Sequence, residues 1–275
     1  MLIDYSELER VSGKMNWNNS VWLYCERGTS TALGAEPVNA ASNIMYLFAA
    51  LAALWIYRRL PFAQKSADHA LLIALTLLVG AGSASFHLFA TQWSELAHMV
   101  PLLMFMMVYL AIALNRFLDM PPGWTMLIVG VFVVLSLAAL TMTCSSIDQA
   151  LQPAWSVANG AKGGATSCLN GSMGYVPWLL ALFTLAIWLF KRRHLAASSV
   201  MLSALLFLAS VVAHGVDHLY CGKLEIEGHV IGSHFIWHVL NGLILFTLMR
   251  TSMIYQNQRA VQEIISPEPK RNKNL

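Results

Sequence analysis

A chain of 275 residues that is 57% hydrophobic and only 11% charged is not an ordinary soluble domain, in which charged side chains make up about a quarter of the sequence. Its formal net charge of +3 follows from basic residues gathered on one membrane face against an anionic inner leaflet, and gives no reason to invoke nucleic acid. Composition points instead to a polytopic membrane protein.

Seven apolar runs approach the length needed to cross about 30 Å of hydrocarbon. They extend from Asn39 to Tyr57, Ala70 to Ala90, Leu96 to Leu114, Trp124 to Thr141, Tyr175 to Phe190, Ala196 to His214 and Ile231 to Met253. The chain therefore reads as an all-α membrane protein, a seven-transmembrane helix bundle over residues 39–254. An N-terminal arm, 1–38, precedes it, and a polar tail, 255–275, expected to be disordered, follows. The arm begins with Asp4, Glu7, Glu9 and Arg10 and has no apolar core, so it is not a cleavable signal peptide. With the N-terminus outside, Arg58, Arg59, Lys65, Arg116, Lys191, Arg192, Arg193, Arg250, Arg259, Lys270, Arg271 and Lys273 lie inside, 12 of the 17 Lys and Arg residues. Positive residues accumulate in cytoplasmic segments, so the arm is extracytoplasmic and the tail cytoplasmic.

In the arm, Glu26 and Glu36 are candidate oxygen ligands for a hard cation such as calcium. A solvated acidic arm with Trp17, Trp22 and Tyr24 at the interface explains the same residues without a cation. Pro37 is disfavoured inside a helix, and Asn39 or Ser42 suits an N-cap, so the first helix begins here. The second run ends in Gly80-Ala-Gly-Ser-Ala-Ser-Phe-His87, where Ser83 and His87 stand four apart on one face and the small residues let a neighbouring helix approach. A short turn leads through Glu95 to His98, which opens the third run, followed by Pro101 and a Met-rich stretch suited to packing or lipid contact. The fourth and fifth runs read as scaffold. The sixth ends in His214-Gly-Val-Asp217-His218, a second histidine pair four apart that offers a second metal site as the alternative but, with no carboxylate-rich partner beyond Asp217, is read as structural. The seventh opens with His234 and His238, again four apart on one helical face.

Topology brings His87, His98, His234 and His238 to the same outer third of the membrane. Imidazoles at such depth are expensive and mark functional sites, and neutral imidazole is the commonest ligand for a transition metal. His87, His234 and His238 together offer three nitrogens and an open position, the arrangement of a catalytic zinc site. Cys25, Cys144, Cys168 and Cys221 also fall on the outer side, where disulfides form. Four cysteines allow three pairings, of which Cys25–Cys221 with Cys144–Cys168 is preferred, and four free thiols are the alternative.

The ordered motifs Glu36-Pro-x-Asn-x-x-Ser-Asn43, Gly82-Ser83-x-x-Phe-His87 and His234-x-x-x-His238 resemble those of the alkaline ceramidase family, within the wider group of seven-helix hydrolases that includes the adiponectin receptors. The resemblance spans Trp22 to Gly242. It implies zinc on His87, His234 and His238, a Ser83 that assists at the oxyanion, and a disulfide between Cys25 and Cys221. It also implies a calcium site, matched here at Glu26 and Glu36 but lacking oxygen-bearing side chains at Leu23 and Gly28. Where the family commonly has a proton-transferring aspartate, eleven residues after the first zinc histidine, this chain has His98. A histidine there serves either as general acid and base or as a fourth ligand that closes the site.

The expectation is a zinc-dependent hydrolase of the amide bond in a membrane lipid, ceramide above all, with the active site towards the extracytoplasmic side. A non-enzymatic, lipid-binding, receptor-like protein with a structural metal is the alternative. Sequence leaves acyl chain length, headgroup and oligomeric state open.

Overall fold

The first apolar run folds as two helices rather than one, α1 (Pro37–Ser42) and α2 (Ile44–Arg59), hinged at Asn43. Asn43 accommodates the hinge by donating its backbone N–H to the carbonyl of Ala40 and its side-chain amide to that of Asn39. The computed structural model describes residues 17–21, 23–142, 168–221, 223–226 and 228–256. Among these follow α3 (Ala67–Phe89), α4 (Gln92–Ile112) with a π turn over Ala113–Phe117, α5 (Pro122–Leu140), α6 (Val176–Lys191), α7 (Ala197–Gly215) and α8 (His234–Ile254). Short 3-10 segments precede α6 (Cys168–Tyr175) and follow α7 (Asp217–Tyr220). A two-stranded antiparallel hairpin, β1 (Glu225–Ile226) and β2 (His229–Val230), leads into α8.

Six helices are long and apolar enough to cross a membrane: 37–59, taken across the hinge, then 67–89, 92–117, 122–140, 169–191 and 197–215. The protein is thus a multi-pass, all-α membrane protein. The 21-residue α8 matches them in length, but His234, His238, Asn241 and Arg250 make it less apolar. Large apolar side chains such as Phe48, Trp55, Met126, Val134 and Phe190 project from the outer surface of the bundle, while Tyr46, Leu72, Phe105, Trp237 and Met249 are buried between helices.

Lipid tails are as apolar as a helix face, so close packing and hydrogen bonds hold such helices together. α8 is the inner helix, in contact with α2, α3, α4 and α7. Gly242 lets it approach α2, because a Cβ at this position would stand 2.8 Å from that of Met45. Gly82 does the same for α3 and α4, where a Cβ would fall on the carbonyl oxygen of Ala97 and 2.9 Å from the backbone nitrogen of His98. Because the obstacle is backbone, Gly82→Ala is expected to push the two helices apart and destabilise the protein by about 1–3 kcal/mol. A thermal unfolding midpoint in detergent checks this, and an unchanged midpoint would show the seam to be slack.

The arm crosses one end of the bundle. Ser20 pairs with Thr91, the N–H of Val21 donates to Ala90, and that of Gln92 donates to Asn19, so the arm is stitched to the α3–α4 connection. Helix α1 starts at Pro37, ahead of the Asn39 or Ser42 caps expected from sequence. Its first N–H groups, those of Val38 and Asn39, donate instead to the carboxylate of Glu26 in the arm, at 2.7 and 2.8 Å. A disulfide joins Cys25 to Cys221 across 196 residues with their Cα atoms 5.3 Å apart, as the motif resemblance implies. The second pairing in the expectation involves Cys144, which lies outside the described residues, as does nearly all of the tail.

Candidate metal centre

The two four-residue spacings meet. Ser83 and His87 lie in the last two turns of α3, His234 and His238 in the first two of α8, and all four are buried. One ring nitrogen from each of His87, His234 and His238 lies within 4.8 Å of the others, and among the described residues this is the group able to hold a metal ion.

A hydrogen bond on the far side of each ring turns its Nε2 inward. Nδ1 of His87 stands 2.6 Å from a carboxylate oxygen of Glu36, and only an N–H can face an acceptor at that distance. Its Nε2 is therefore turned away from Glu36, and in the neutral ring it carries the lone pair. Nδ1 of His238 stands 2.7 Å from the Ser42 hydroxyl, whose own proton goes to the carbonyl of Asn39 at 2.8 Å. Ser42 must then accept, and Nε2 of His238 is a lone pair as well. These two lone pairs face each other at 3.0 Å. Beside them His234 carries a buried Nδ1 with no hydrogen-bond partner. Two facing ring nitrogens are bridged either by a proton on one of them or by a cation, and with both rings neutral the donor set fits a transition metal whose ligands are oriented by Glu36 and Ser42.

The surroundings hold the third ligand. Asp217 accepts the backbone N–H of Ser233 and His234 at 2.7 and 2.9 Å and that of Cys25 at 2.9 Å. It thereby caps α8, which has no cap of its own, and ties it to the arm. The Tyr24 ring stacks on His234 with centroids 3.5 Å apart. Its hydroxyl, which burial pushes well above the usual phenol range, lies 3.2 Å from Nε2 of His214. The other nitrogen of His214 is 2.7 Å from Ser172 Oγ. With hydroxyls on both nitrogens His214 is structural, as its sequence context suggests. His218 likewise stands 2.7 Å from the carbonyl of Leu23.

Ser83, 0% exposed, sets its hydroxyl 3.3 Å from Nε2 of His238. His98, 8% exposed on α4, falls outside the three-histidine group, and its Nδ1 is buried without a partner. Glu26 and Glu36, the calcium candidates, are otherwise engaged. The Glu26 oxygens take the N–H groups at the start of α1. Those of Glu36 take Arg27 at 2.6 Å, His87 at 2.6 Å and the Asn39 amide at 3.1 Å. Burial alone would raise the Glu36 carboxyl, but the hydrogen bonds from His87 and Arg27 and the Arg27 charge outweigh it and hold it below the usual carboxylate range. Glu36 thus pairs with a guanidinium while Glu26 caps α1. Sequence reasoning missed this role of Glu36, together with Arg27, Ser42 and Asp217. The one available signal was the presence of charges in a region destined for burial, where each must find a partner.

Beneath the histidines the bundle opens. Leu102 and Asn241, one helical turn below His98 and His238, line an apolar cavity with Phe105, Tyr109 and Phe207. Through Leu102, Met106 and Trp178 it adjoins a groove of about 260 Å³ between α4 and α5.

Helices converging on a buried three-histidine group, above an apolar cavity, define a multi-pass membrane protein with a site able to hold a metal ion. The chain belongs to the ceramidase family, whose model matches residues 18–266. No curated protein matches it. Membership implies an amidohydrolase that acts on lipid and supports a ceramide-hydrolysing enzyme.

Proposed function

We propose that this protein is a zinc-dependent hydrolase of the amide bond in a membrane lipid, cleaving ceramide to a sphingoid base and a fatty acid. The observation that carries the reading is the pair of facing Nε2 atoms on His87 and His238, each ring held by a hydrogen bond on the opposite nitrogen. His87, His234 and His238 would hold the zinc, which when bound supplies a Lewis acid that activates water and polarises the amide carbonyl. Ser83, next to His238, is suited to donate its hydroxyl to the developing oxyanion. His98 would carry the proton to the leaving amine through its unpartnered nitrogen. The groove of about 260 Å³ between α4 and α5 would take the acyl chain.

Seven membrane passes belong to this reading, with the arm (1–38) outside, the bundle over 39–254, the tail (255–275) in the cytoplasm and the histidines towards the extracytoplasmic side. The disulfide at the histidine end and Arg58, Arg59, Lys191 and Arg192 at the opposite end support that orientation. Calcium has no part in it.

The test is metal content together with fatty-acid release from ceramide by the purified protein in detergent. Stoichiometric zinc without release from any N-acyl lipid would defeat the enzymatic half. His98→Ala is expected to slow release by roughly 10²-fold to 10⁴-fold, the usual worth of a positioned acid or base, with zinc content unchanged. Loss of zinc in that variant would instead make His98 a fourth ligand and favour the receptor-like alternative.

A further inference from the structure

Arg27 is 4% exposed and belongs to neither the proposed ligand set nor the proton path. Burying a charged guanidinium is costly unless it is paired and its N–H groups are satisfied. Here Nε donates to Glu36 at 2.6 Å, Nη1 to the carbonyls of Ser30 and Ala32 at 3.3 and 3.1 Å, and Nη2 to those of His87 and Leu88 at 2.8 and 3.4 Å. The last two are end-of-helix carbonyls of α3 that have no partner within the helix. Arg27 therefore grips His87 twice, at its backbone directly and at its ring through Glu36, which accepts the Nδ1 proton.

We infer that Arg27 is a positioning residue of the metal centre, a cation built into the chain that orients Glu36 and so aims the Nε2 lone pair of His87. Each half of the double grip depends on the flat, forked geometry of guanidinium. A lysine ammonium retains the charge but cannot reach five acceptors in one plane.

The inference rests on zinc binding by His87, His234 and His238, and its test is chosen to separate the two. Zinc retention is measured against a competing chelator for the wild-type chain, Arg27→Met, Arg27→Lys, Glu36→Gln and the double variant Arg27→Met/Glu36→Gln, alongside thermal unfolding of the metal-stripped forms. Arg27→Met and Glu36→Gln are each expected to weaken zinc binding by roughly 10-fold to 100-fold. The double variant is expected to be no weaker than the poorer single one, because both act through the same imidazole. Arg27→Lys should recover part of the loss. Should Arg27→Met fail to fold, Arg27→Lys combined with Glu36→Gln carries the same comparison. A lower unfolding midpoint with unchanged zinc retention would reduce Arg27 to a structural ion pair and overturn the inference, as would losses that simply multiply. A wild-type chain that retains no zinc would overturn the metal reading itself.

Discussion

His238→Ala is expected to strip the protein of its metal and its activity together. His238 is fully buried, and its imidazole is held by Ser42 on one nitrogen and faces His87 on the other. Removing it leaves two ligand residues, too few for a tight site. A catalytic metal contributes several kcal/mol of transition-state stabilisation, which corresponds to a fall of roughly 10³-fold or more in rate. Metal analysis and fatty-acid release, both on protein purified in detergent, provide the readouts. The metal-stripped wild type and variant should unfold at similar temperatures, which separates loss of the ion from loss of the fold. A variant that kept both zinc and turnover would remove His238 from the site.

Asp217→Ala is expected to produce the largest loss of stability. Its carboxylate is buried, and three backbone N–H groups converge on it from two separate parts of the chain. Alanine would leave all three in a dry interior without acceptors, at about 1–3 kcal/mol each. Partial relaxation brings the net expectation to about 3–5 kcal/mol, or roughly 10 °C in the unfolding midpoint for a chain of this size. Asp217→Asn keeps an oxygen for some of these donors and should fall between the two. Because one of the three N–H groups belongs to His234, zinc retention should drop alongside. An unchanged midpoint in Asp217→Ala would mean that water or a shifted loop replaces the carboxylate, and that α8 does not depend on it.

The helices were legible because apolar runs of nearly twenty residues have few other uses. Their ends were less so. The hinge at Asn43 depends on side-chain hydrogen bonds that form only once the chain turns, and the π turn at Ala113–Phe117 leaves no periodic trace in an apolar run. Ile231 belonged to the apolar pattern of the last run, yet α8 begins at His234, where Asp217 supplies the cap from 17 residues away. The approach of the three histidines was legible for a related reason: two histidine-bearing helix ends at matching depth can meet when their faces turn inward. What orients those histidines was not. Glu36 looked like a ligand for a hard cation, since nothing in sequence connects it to His87, 51 residues on, or tells a carboxylate that faces a metal from one that faces an imidazole.

The 196-residue interval between Cys25 and Cys221 also imposes an order on biosynthesis. Cys25 leaves the ribosome before any of the helices, and its partner only after α7. Throughout most of translation Cys25 lacks its final partner, and the arm can be locked across the bundle only when the segment leading into α8 has been made. That segment carries Asp217 and precedes His234 and His238, so the step that fastens the arm comes just ahead of the arrival of the last two ligands. Newly made protein held under reducing conditions should therefore accumulate with its helices inserted and its metal pocket incomplete.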